Sequence, residues 1–111
     1  MERRDDMKLF FHVDLESGLE ECRRTKGAVL ADVREADEYR SGHIPGAVHL
    51  PLSGMETLEM DRETPLFLYC LRGMRSHRAA RTLKKRGYRH VKSIGGITEY
   101  TGKLETGGNR N

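Results

Sequence analysis

The chain predicts an α/β domain with a mainly parallel central sheet and helices on both faces. Three observations lead there. Residues 28–33 and 65–70 are nearly unbroken apolar runs of strand length, the pattern of strands buried on both sides. Between such runs lie polar stretches with helical spacing, and Gly27, Gly42 and Gly87 stand where those helices should stop. Strands and helices alternate along the chain, which favours a parallel sheet over hairpins.

Taken in order, residues 9–13 read as a short first strand. Asp14 or Ser17 caps a helix through Leu19 and Cys22 to about Lys26. The strand at 28–33 follows, then a short helix at 35–41 and a turn at His43-Ile44-Pro45-Gly46. A brief strand covers 47–50, and residues 51–64 form a loop with a helical turn. Pro65 opens the strand that ends at Cys70, a position where its missing N–H is tolerated. A helix over 76–86 carries Ala79, Ala80 and Leu83 as its apolar stripe. The last strand spans 88–94, the Gly95-Gly96 pair turns the chain, and a short helix lies near 97–100. The tail from Gly102 to Asn111 is rich in glycine and asparagine and is expected to be flexible, leaving a core of about 8–101.

The 111 residues suit one domain, able to bury roughly two-thirds of its unfolded surface without a metal or disulfide. Hydrophobic residues make up 36% and charged residues 33% of the chain. No apolar run approaches the ~20 residues that span a bilayer. No signal-peptide pattern opens the chain, so the cytoplasm is the default address and a monomer the simplest expectation. Cys22 and Cys70 are far apart and form no metal-ligand spacing, so neither a metal nor a cofactor is expected. Cys22 continues the stripe Leu15-Leu19-Cys22 and reads as a buried helical thiol. Net charge is only +3, but no acid occurs between Leu66 and Thr98, where nine Arg and Lys residues fall. That half of the protein should face something anionic.

The chemistry concentrates in Cys70-Leu71-Arg72-Gly73-Met74-Arg75-Ser76, between a buried strand and a helix. Successive backbone N–H groups in a tight turn converge on one point, and the helix start adds free donors and a positive dipole end. Gly73 lets the backbone curl, and Arg72 and Arg75 add full charges. The thiolate is the form that such a cradle stabilises, which makes Cys70 a candidate nucleophile without a histidine base.

This segment resembles the active-site loop of single-domain rhodanese-like sulfurtransferases, which reads C-x-x-G-x-R-S. Asp32-Val33-Arg34, Glu38-Tyr39 and Gly42-His43-Ile44-Pro45-Gly46-Ala47 resemble that family's first signature, and Gly95-Gly96-Ile97 its closing turn. The resemblance covers about residues 28–100. Tyr100 stands where many members carry Trp, and the acidic connection before Pro65 is short. What the resemblance implies is a rhodanese-like domain and a two-step transfer of the thiosulfate sulfurtransferase type. Cys70 takes the sulfane sulfur of an anionic donor such as thiosulfate, and the resulting persulfide passes it to cyanide, a thiol or a protein. Leu71 to Ser76 bind the sulfur through backbone N–H groups, with Arg72 and Arg75 docking the donor. Asp32 and Arg34 support the region from behind, although Arg34 has Glu35, Asp37 and Glu38 as alternative surface partners.

His43 reads as satisfying its own turn and His77 as facing solvent. The basic face of Arg78, Arg81, Lys84 and Lys85 has two equal readings. One is solvated surface, and the other steers anionic donors or docks an acidic protein. Nucleic acid fits less well, because no aromatic residues on that face would stack bases. Two rival activities are a persulfide carrier or binding module without turnover, and a cysteine-based phosphatase or arsenate reductase. The phosphatase loop needs Arg six residues after Cys, whereas Arg75 is fifth and Ser76 sixth, which makes a smaller cradle.

Overall fold

A computed structural model of the protein describes residues 14–108. The first strand expected at 9–13 lies outside the described residues. Helix α1 (Leu15–Arg24) is capped by Asp14, whose carboxylate accepts from the Ser17 N–H and hydroxyl. It ends two residues before Lys26, with Thr25 as its C-cap. Strand β1 (Val29–Asp32) leads to α2 (Ala36–Ser41) and the two-residue β2 (Val48–His49). A 3₁₀ turn (Leu52–Gly54) lies inside the loop before β3 (Leu66–Cys70). Helix α3 (Met74–Lys85), β4 (Val91–Gly96) and a 3₁₀ turn (Ile97–Glu99) complete the order.

The four strands form one parallel sheet in the order β2-β1-β3-β4. All five residues of β3 are buried, and their alternation divides the core in two. Leu66, Leu68 and Cys70 pack with Ala79, Ala80 and Leu83 of α3. Phe67 and Tyr69 pack on the other face with Leu15 and Leu19 of α1, Ile44, Ala47 and Ile94. Helices thus cover both faces, as the apolar runs required.

Strand β4 begins at Val91 rather than Tyr88, and two further boundary differences bear on the Cys70 loop. Helix α3 begins at Met74 rather than Ser76, because Gly73 at φ +113° serves as its N-cap and leaves the next residue free to enter the helix. Gly95 and Gly96 belong to β4 instead of a turn after it. The register jumps from Leu68↔Ser93 to Tyr69↔Gly95, so Ile94 is an extra residue in the strand. Gly18 of α1 lies where a Cβ would come within 2.5 Å of Ile94, so the small residue lets the helix seat on the bulge.

The described part of the terminal segment returns to the domain. His43 and Glu105 exchange backbone hydrogen bonds of 2.8 and 2.9 Å, and the Gly107 N–H donates to the Arg40 carbonyl. Among the described residues no helix is long and apolar enough to cross a membrane.

Candidate functional site

Cys70 closes β3 at the carboxyl end of the sheet, the end where open α/β sheets bind ligands. The chain then turns sharply through Leu71, Arg72 and Gly73 into α3. Within this turn the Gly73 N–H donates to Cys70 Sγ at 3.0 Å and the Ser76 N–H donates at 3.3 Å. Cys70 Sγ lies 3.7 Å from Ser76 Oγ, within reach of a thiol hydrogen bond donated to that hydroxyl. Ser76 Oγ also bonds the Gly73 carbonyl at 3.1 Å and lies 2.6 Å from Ser93 Oγ of β4. The sulfur is therefore surrounded by donors from one turn of backbone, at the N-terminus of a twelve-residue helix with no acid in its first turn.

The turn is shaped from beneath by the two glycines of β4. A Cβ on Gly96 would overlap the Leu71 carbonyl and the Arg72 Cα, and the Gly95 backbone lies under Gly73. The Thr98 N–H holds the Leu71 carbonyl at 3.3 Å. Only a strand without side chains at this point admits the loop so closely. Cys70 itself is 1% exposed, so the thiol forms the floor of the loop rather than its rim. The reason is that Leu68 and Cys70 share the face covered by α3, while Ser76 and Gly73 close over the sulfur.

The two loop arginines part company. Arg75 is engaged by Glu38 of α2 through two parallel bonds of 2.8 and 3.1 Å. The same Glu38 oxygen accepts from the Glu35 N–H at 2.8 Å, so one carboxylate caps α2 and clamps the start of α3. The Arg75 guanidinium pulls the Glu38 carboxyl down to about 2, and Glu38 in turn strengthens the charge on Arg75. Arg72 is exposed and has no hydrogen bond or ion pair among the described residues. Of the loop's two arginines it is the one free to meet an incoming anion.

Asp32 and Arg34 are both buried, at 0% and 6% exposure. Arg34 grips Asp32 through Nε at 3.0 and 3.1 Å and Nη2 at 2.8 Å, and its own N–H adds a bond of 2.9 Å. Arg34 Nη2 continues to the Gly42 carbonyl at 2.6 Å. The alternatives Glu35, Asp37 and Glu38 are not its partners. Neither Asp32 nor Arg34 bonds residues 71–76 among the described residues, so the pair braces the end of β1 against the chain leaving α2. Tyr69 works in the same frame. Its hydroxyl accepts from the Ile44 N–H at 3.0 Å, and burial, followed by the negative charge of Asp32, pushes the phenol upward.

The histidines read as structural keep local partners. His43 is buried, lies 2.8 Å from the Tyr39 carbonyl through Nδ1 and stacks on the Tyr39 ring at 3.8 Å. His77 is exposed. Cys22 is half-buried against the core cluster that includes Leu15 and Leu19, and burial raises its thiol. Sequence reasoning did not find Ser93 or the Arg75–Glu38 pair. Ser93 has no local signature, because its meeting with Ser76 depends on strand order. The glycine pair was visible, but its role as the bed of the Cys70 loop was not.

Comparison with known proteins agrees with this arrangement. The model of the rhodanese-like domain matches residues 14–103. A Bacillus subtilis protein provisionally named sulfur carrier protein YrkF is 42% identical over 68% of this chain, and the match covers 43% of that relative. The chain thus spans less than half of that protein's length. The thiosulfate sulfurtransferase GlpE of Coxiella burnetii is 35% identical, with 67% of this chain and 72% of the relative aligned. The solved human single-domain sulfurtransferase TSTD1 superposes with a TM-score of 0.69 at 26% identity, covering 80% of this chain and 93% of that one. With a backbone-lined Cys70 loop at the carboxyl end of a parallel sheet and a family match over most of its length, this chain belongs to the rhodanese-like sulfurtransferase family.

Proposed function

We propose that the protein moves a sulfane sulfur from an anionic donor such as thiosulfate to a thiophilic acceptor through a persulfide on Cys70. The observation that carries this reading is the pair of N–H groups from Gly73 and Ser76 that already converge on Cys70 Sγ. These donors stabilise a thiolate, and a terminal persulfide sulfur in the same loop has the same need for them. The Cys70 thiolate attacks the outer sulfur of thiosulfate, the S–S bond of the donor breaks, and sulfite leaves with the bonding pair. Arg72 meets the anionic donor and offsets the charge of the departing sulfite. Arg75 keeps the first turn of α3 in place through Glu38 rather than reaching for the donor. Cyanide, a thiol or a protein thiol then takes the outer sulfur, and Cys70 returns as the thiolate.

The name of the Bacillus subtilis relative favours a second reading, in which the loaded protein acts as a sulfur carrier for a protein acceptor. Both readings share the first half-reaction. Intact mass after incubation with thiosulfate tests it. The protein should gain the mass of one sulfur atom, cyanide should remove that atom as thiocyanate, and Cys70→Ser should abolish the gain. An unchanged mass together with hydrolysis of a phosphate ester would sink the reading.

A further inference from the structure

The outer face of α3 begins beside the Cys70 loop, and its exposed side chains make no hydrogen bond or ion pair among the described residues. Ser76, Ala79, Ala80 and Leu83 are its buried residues. Helical geometry places Met74, Arg78, Arg81 and Lys85 along the opposite side, in an i, i+4, i+7, i+11 row. Lys84 flanks that row, and Arg72 stands ahead of it on the loop. All six side chains are exposed. Met74 reaches 77%, the greatest exposure of the three large exposed hydrophobic side chains among the described residues.

The charges on this face are uncompensated. None of Arg72, Arg78, Arg81, Lys84 and Lys85 makes an ion pair among the described residues. Glu38 holds Arg75, Glu59 holds Arg62 and Arg86, and Glu63 holds Arg89 and His90. A small anionic donor needs one or two cations at the sulfur. It has no use for a ladder running the length of a twelve-residue helix, nor for an apolar side chain held in water at the ladder's foot. A base-stacking surface is also missing, since the row contains no aromatic residue.

We infer that this face docks an acidic protein acceptor, whose carboxylates lie along α3 and whose apolar residue covers Met74 while its thiol reaches the Cys70 loop. The inference rests on the proposed persulfide of Cys70 and names the class of acceptor. In the transfer the acceptor thiolate attacks the outer sulfur and the Cys70 S–S bond breaks. Cys70 leaves as thiolate and the acceptor becomes the persulfide, with no external oxidant or reductant. The ladder contributes encounter rate and orientation, the effects that complementary charge supplies best.

The test is single-turnover transfer from protein loaded with thiosulfate and freed of excess donor. The acceptors are a polyglutamate peptide ending in cysteine, a Gly/Ser peptide of equal length ending in cysteine, and dithiothreitol. The acidic peptide should react about tenfold faster than the neutral one at low ionic strength, and salt should erase the advantage. The triple variant R78E/R81E/K85E should lose that advantage while keeping its rate with dithiothreitol. Equal rates for the two peptides would overturn the inference. So would a triple variant slowed equally toward dithiothreitol, or a transfer RNA that binds the protein more tightly than the acidic peptide at physiological salt. If Cys70 does not load at all, the persulfide reading fails by itself. Fluorescence anisotropy with a serine-ended acidic peptide still decides the docking surface, because binding there must disappear in the triple variant.

Discussion

Two arginine–carboxylate pairs stand near the carboxyl end of the sheet, and they do different work. Asp32 and Arg34 are two residues apart, buried, and joined by four hydrogen bonds to one carboxylate. Glu38 and Arg75 are 37 residues apart, with side chains about 30% and 29% exposed, and joined by two. The first pair ties a strand end to the chain beyond α2 and, among the described residues, forms no hydrogen bond or ion pair with residues 71–76. The second fixes the start of the helix whose N–H groups surround the sulfur. Breaking the buried pair strands a charge in the interior, whereas breaking the outer pair leaves both groups able to rehydrate. The protein thus separates what holds the domain from what holds the loop.

Asp32→Ala should break the comparison on the stability side. It leaves the Arg34 guanidinium buried with only the Gly42 carbonyl, at a cost of about 3–5 kcal/mol in denaturant unfolding. Sulfur uptake per folded molecule should stay near that of the parent. A loss under about 1 kcal/mol would mean that the pair is no more than a surface bridge.

Gly96→Ala tests the loop from beneath. The added methyl must displace the Leu71 carbonyl or the Arg72 backbone, at a cost of about 1–3 kcal/mol. The larger effect should fall on sulfur loading, since displacing the turn moves the Gly73 N–H from Cys70 Sγ. Loading at the parental rate, measured by intact mass, would show that the bed of the loop is dispensable.

Glu38→Gln should be the mildest in stability, under about 1 kcal/mol, with a measurable slowing of sulfur uptake because Arg75 and the first turn of α3 lose their anchor. Its clearest signature is in acid. The Glu38 carboxyl is depressed in the folded state, so its stabilisation is complete above the unfolded value of about 4.3. It is lost as pH falls from there toward the folded value of about 2. The variant should lack this component, and chemical denaturation at several acidic pH values would show whether the two curves converge.

How much of this was legible beforehand varies with the range of the interaction. The helix ends near Gly42 and Gly87, the buried strands and the Cys70–Ser76 loop depend on neighbours in the chain and are readable from periodicity and glycine placement, whereas α1 stops at Thr25, ahead of Gly27. The strand at 9–13 falls outside the described residues, so that reading stands as an expectation. The start of α3 was missed by two residues, because a positive φ at Gly73 lets the helix begin before the apolar stripe that marks it. The partner of Arg34 was left open among four acids, and burial selected Asp32. Arg75 was expected to face the donor, yet a carboxylate one element away on the folded surface had prior hold of it.

The residues themselves determined that there would be a thiol at a strand end, a glycine that curls the backbone and a helix opening behind it. Those features are local, and backbone sterics with hydrogen-bond geometry are enough to dictate them. Only the tertiary structure decided that Cys70 lies on the floor of its loop, that Gly96 makes room for that loop and that Ser93 meets Ser76. It also decided which arginine remains free. Each of these depends on the order of strands in the sheet and the bulge at Ile94, which bring together residues that no spacing along the chain relates.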